Sequence, residues 1–184
     1  MSANSIADII SATILFAVPL LLVALGGMFS ERSGVINIAL EGIMIIGALF
    51  GCLTLRVLDM AGWGETNPQL GVLLAILAAA ASGAIFSVLL AFAAINLKAN
   101  QTIGGTALNM MAPAFAVVLT WAIQGQGQTT ILIPTWVRIT QETLGLQASE
   151  NQGFFERLVF KNLYLTTILA IIILIVSVIV LYRT

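Results

Sequence analysis

Four polar side chains within the long apolar runs of this sequence are candidates for chemistry. Asn37 and Glu41 lie in "SGVINIALEGIMIIGALFG" (33–51), and Thr106 and Asn109 lie in "NQTIGGTALNMMAP" (100–113). A carboxyl and two carboxamides can bind a polar solute, hold a proton or cation, or tie helices together. Acid–base catalysis needs more: no second carboxyl shares the Glu41 helix face, and the sequence has no His to form a dyad. The single cysteine, Cys52, excludes an internal disulfide, and without His the inventory contains no His/Cys metal cluster. No enzyme activity and no cofactor are expected in this chain.

Asn37 and Glu41 are four apart on one expected helix, so they share a face. That face either lines an aqueous path or carries a protonated or hydrogen-bonded Glu41 that pins helices together. Both readings stay open at this level, since an acid on a membrane helix must in either case face protein or water. Gly34 and Gly42 bracket the pair and could let the backbone bend or another helix approach. Gly104 and Gly105 suggest an unwound or closely packed start to the later run, with Asn100 or Thr102 as an ordinary N-cap. Thr106 and Asn109, deeper in that run, are candidates for a path-facing or interhelical role.

Composition decides where such residues must sit. Of 184 residues, 60% are hydrophobic and 8% charged, with a mean hydropathy of +1.08. A soluble domain carries roughly a quarter charged residues, so this is an integral membrane protein. The net charge of −1 comes from scattered single residues, with no basic patch for nucleic acid. The N-terminus lacks the basic region of a cleaved signal.

Five apolar runs reach the length of a span, about 20 residues: 6–28, 35–55, 70–97, 103–123 and 163–181. The expected fold is an all-α integral membrane domain over 1–184. Its five transmembrane helices are joined by short inner turns, and one long extracytoplasmic loop (124–162) carries an interfacial helix at "GFFERLVFK". Ala75, Ala79, Gly83, Ser87 and Ala91 form a small-residue stripe on the third run, and Gly47 and Gly51 a GxxxG on the second. Both are expected to serve close packing inside one bundle. The methionines are read as core fillers. With the N-terminus outside, Arg32, Lys98 and Arg183 fall on inner segments and Trp63, Trp121 and Trp136 at the outer interface. That orientation, N outside and C cytoplasmic, is favoured.

Two runs, "ALGGMFSERSGVINIALEGIMIIGALFG" (24–51) and "LKANQTIGGTALNMMAPAF" (97–115), together resemble the permeases of bacterial ABC importers. The likeness is to the branched-chain amino acid and simple-sugar family, in its nucleoside-type subgroup. The resemblance implies a permease subunit in the bacterial inner membrane, carrying nucleosides or a similar small polar solute such as a sugar or branched-chain amino acid. Its implied partners are two cytoplasmic ATPase subunits, which bind the ATP, an extracytoplasmic substrate-binding protein and a second permease subunit. Permeases of this kind continue beyond the equivalent of "VLYRT" into a coupling segment and further spans, so the chain is expected to correspond to the N-terminal portion. A self-contained channel or carrier using Glu41, and a remnant that does not transport, are the alternatives.

Overall fold

The computed structural model describes residues 3–34, 36–137 and 165–183. Among them the chain is helical: α1 (Ala3–Arg32), α2 (Leu40–Met60), the single turn α3 (Trp63–Thr66), α4 (Pro68–Ile95), α5 (Gln101–Gln124), a 3-10 turn at Thr135–Val137 and α6 (Leu165–Arg183). Four of the described helices are long and apolar enough to cross a membrane, over Ser5–Arg32, Leu40–Met60, Pro68–Ile95 and Gln101–Gln124. The fifth expected run is helical as α6, but its fully described apolar stretch, Thr167–Val180, is shorter than a span. The structure therefore carries an all-α, membrane-type fold with several long apolar helices. The segment expected to form an interfacial helix lies outside the described residues.

The chain divides into two compact units, Gly26–Pro134 and Met1–Leu25 with Thr135–Thr184. In the second of these, the helical residues of α1 bury Ala7 and Ser11, and those of α6 bury Thr167, Ala170 and Ser177. Pro19 sits inside α1; having no N–H, it leaves the carbonyl four residues earlier without its helical donor.

Gly26–Pro134 holds the four polar candidates. Here α2 is the centre, packed on α4 along one side and α5 along another. Ile46, Phe86 and Ala112, one from each helix, form its buried core, with Ile43, Ile45 and Leu108 packed around them. Small residues set the α2–α4 distance. A Cβ on Gly47 would stand 3.2 Å from the Ala79 carbonyl oxygen, and one on Gly51 would stand 3.3 Å from the Ala79 Cβ. A Cβ on Gly83 would stand 3.3 Å from Ile43 Cγ2. The GxxxG of α2 thus meets the small-residue stripe of α4 within one chain. The remaining surface of α4 is apolar and open, Ile85 being 72% exposed, as a lipid- or protein-covered face requires.

The helix ends follow local chemistry. α1 stops where Gly34 adopts φ +82°; the Ser33 and Gly34 N–H groups turn back to the carbonyls of Phe29, Ser30 and Glu31. Pro68 opens α4 at its first position. Asn100 caps α5, its side chain accepting from the Thr102 and Ile103 N–H groups at 2.9 and 3.4 Å.

Candidate functional site

α2 begins at Leu40, whereas continuous apolarity from Val35 predicted an earlier start. Residues 36 and 37 are irregular and 38 and 39 form a turn. Asn37 folds back locally, its Oδ1 accepting from the Ala39 N–H at 3.0 Å. This is the side-chain-to-backbone bond by which Asn competes with helix. Asn37 therefore lies before α2 and, contrary to expectation, shares no helix face with Glu41.

The opened turn is held from α5. Asn109 Nδ2 donates to the Ile38 carbonyl at 2.7 Å, and its Oδ1 accepts from the Gly42 N–H at 2.7 Å. Ile38 and Gly42 are four apart, so in an unbroken helix that carbonyl and that N–H would bond each other. The Asn109 carboxamide stands between them, giving a donor to one and an acceptor to the other. An inserted side chain is one of the few recognised causes of a helix break. The partners are one backbone acceptor and one backbone donor, so only this orientation of the amide satisfies both.

Close approach makes the insertion possible. A Cβ on Gly42 would lie 3.0 Å from both Asn109 Oδ1 and the Leu108 carbonyl oxygen, and one on Gly105 would lie 3.1 Å from Ile38 Cβ and 3.2 Å from the Ala39 nitrogen. Gln101, Gly105 and Asn109 follow at intervals of four and present one face of α5 to residues 36–42. At its near end Gln101 Oε1 accepts from the Ile36 N–H at 3.3 Å. The irregular backbone thus lies at 36–39. Gly104 and Gly105 are helical, and Gly105 acts through packing.

The other candidates sit elsewhere. Thr106 is exposed and its hydroxyl donates to the Thr102 carbonyl at 2.9 Å, within α5. Glu41 occupies the first turn of α2, where a negative charge is favoured by the helix dipole. Its side chain is exposed, and among the described residues nothing hydrogen-bonds to it or pairs with it. Helical spacing continues its line through Ile45, Ala48 and Cys52. Those three border a groove of about 300 Å³ that α5 closes with Val117 and Thr120 and the following segment with Thr129 and Thr130. No group of three or more metal-ligating side chains occurs among the described residues. Gln101 was not foreseen from the sequence; the available signal was its spacing of four and eight from Gly105 and Asn109.

The sequence profile of the family described as branched-chain amino acid transport system / permease component matches residues 9–184. The chain belongs to this permease family. Among its relatives are the guanosine ABC transporter permease protein NupQ of Bacillus subtilis (strain 168), 39% identical over 176 residues, which are 96% of this chain and 52% of that protein. The nucleoside ABC transporter permease protein NupC of Lactococcus lactis subsp. cremoris is 39% identical over 128 residues, 70% of this chain and 39% of that protein. The chain therefore spans about half the length, or less, of these relatives. No solved structure matches.

Proposed function

We propose that this chain is part of the membrane permease subunit of an ABC importer, and that it forms part of the path for a nucleoside or similar small polar solute. The observation that carries this reading is the family match over residues 9–184, joined by 39% identity to a guanosine permease along 96% of the chain. In this reading five helices cross the bacterial inner membrane, with the N-terminus outside and the C-terminus cytoplasmic. Cytoplasmic ATPase subunits, an extracytoplasmic binding protein and a second permease subunit complete the importer, and the ATPases supply the chemical energy. The permease itself makes and breaks no covalent bond.

Within that frame the line of α2 that runs from Glu41 to the groove-lining Ile45, Ala48 and Cys52 is our candidate for the path wall. Its support is that Glu41 is the one polar candidate with no internal partner among the described residues. Asn37 and Asn109 serve the backbone of the α2 start.

The deciding experiment is nucleoside uptake by the intact system in proteoliposomes. Uptake is expected only with ATP, the ATPase and the binding protein present, and Glu41→Gln should slow it. Uptake driven by an ion gradient without ATP would instead make the protein a self-contained carrier that uses Glu41. Cys52 provides a direct probe of the wall: a membrane-impermeant thiol reagent should label it in the assembled importer, and solute should protect it.

A further inference from the structure

We propose that the groove at the C-terminal end of α2 binds one anionic phospholipid, whose headgroup meets Arg56 and whose acyl chain lies along the apolar wall. The groove holds about 510 Å³. Its lining is apolar, with Phe50, Leu53, Val57 and Met60 from α2 and Ile123 from α5, and Arg56 is its one charged member. It is distinct from the Glu41 line and does not depend on the transport reading.

Two observations call for an anionic acceptor. First, no described residue hydrogen-bonds to the Arg56 guanidinium or pairs with it, and Nη1 is closed off from solvent without an acceptor. A guanidinium at the edge of a bilayer cannot shed its proton, so its charge and its N–H groups require an anion or acceptor from outside. Second, Gln124, the residue after Ile123, has a buried Nε2 that also lacks an acceptor among the described residues. The ends of α2 and α5 therefore hold donors without acceptors among the described residues, and the unpaired Arg56 charge borders the apolar groove.

A phospholipid fits both features at once. Its phosphate matches the fork of the guanidinium, and its acyl chain matches Phe50, Leu53 and Val57. The depth also fits: Arg56 lies four residues before the end of α2, about 6 Å at the helical rise. The partly exposed Trp63 follows on α3, and tryptophan favours the headgroup level. A single Arg near the surface favours an anionic over a neutral headgroup by about fivefold.

The test is native mass spectrometry of the full chain in detergent with phosphatidylglycerol and phosphatidylcholine of identical acyl chains. The wild-type chain should retain phosphatidylglycerol about fivefold over phosphatidylcholine. Arg56→Gln should abolish the preference and Arg56→Lys should keep part of it. Leu53→Trp, which fills the groove and leaves Arg56 in place, should reduce retention of both lipids. Equal retention of the two lipids by the wild type overturns the proposal. So does an unchanged preference in Arg56→Gln, or in Leu53→Trp retention equal to wild type. If Arg56→Gln does not fold, Leu53→Trp and Arg56→Lys decide alone.

Discussion

The Asn109 insertion makes a prediction that separates it from an ordinary interhelical hydrogen bond. Consider two substitutions at this position. Asn109→Leu keeps the bulk between Ile38 and Gly42 but offers neither donor nor acceptor, so both backbone groups lose their partners while the side chain still holds them apart. A polar group left unsatisfied away from water costs about 1–3 kcal/mol, so two of them give a loss of about 2–6 kcal/mol. Asn109→Ala removes the wedge. The Ile38 carbonyl and the Gly42 N–H, four residues apart, can then bond each other and extend α2 backward by a turn. Two hydrogen bonds worth about 1 kcal/mol each are exchanged for one. With a modest packing loss, the net cost is about 1–2 kcal/mol. The larger truncation should therefore be the milder one, the reverse of the order expected at a site where volume dominates. Unfolding in mixed micelles with increasing dodecyl sulfate would measure both, and helical circular dichroism should rise slightly for Asn109→Ala alone. Equal losses for Ala and Leu, or both within about 0.5 kcal/mol of wild type, the margin of an ordinary surface site, would rule out the insertion.

Three further outcomes follow from the same packing. Gly105→Ala places its Cβ 3.1 Å from Ile38 Cβ and 3.2 Å from the Ala39 nitrogen; with backbone on one side it should destabilise by about 1–3 kcal/mol, read in the same micelle titration. Gly47→Leu drives a side chain into the Ala79 carbonyl, 3.2 Å from where a Cβ would stand. It should separate α2 from α4, so that cysteines engineered at 51 and 79 no longer cross-link with a short reagent. Gly34 has open space around it but a φ of +82°, so Gly34→Ala should cost about 1 kcal/mol through the backbone alone, and Gly34→Asn less. Equal losses for Ala and Asn would remove the conformational explanation.

The long apolar helices were legible because hydropathy is a local property, and an uninterrupted apolar run in lipid has little choice but to satisfy its own backbone. The break at 36–39 was not legible for the same reason: Ile36, Ile38 and Ala39 are as apolar as the helix that follows. What opens the turn is a carboxamide 67 residues beyond Gly42 in sequence, and no window of local pattern contains it. The Gly-Gly pair left open an unwound or a closely packed start, and in the structure Gly105 is helical and closely packed. Gly105 is needed because the opened backbone of the neighbouring segment lies against it, and its own backbone stays helical. A glycine read from sequence reports that something comes close; it does not say which of the two segments has bent.

That distinction changes the meaning of the polar residues in these apolar runs. Every buried backbone group in a membrane needs a partner, and a helix start at membrane depth creates several groups without one. Asn37, Gln101 and Asn109 all bond to backbone between residues 36 and 42. They make an irregular segment tolerable within an apolar bundle, and a solute would have to displace those bonds to use them. Glu41 stands in a different position. The same break places it on the first turn of α2, where the dipole favours its charge, with no described residue bonded to it. A structural carboxylate would be expected to end on a donor, as these amides do. In the function proposed above, this exposed carboxylate at the head of the Ile45, Ala48 and Cys52 line is the group that meets a partner from beyond the described residues.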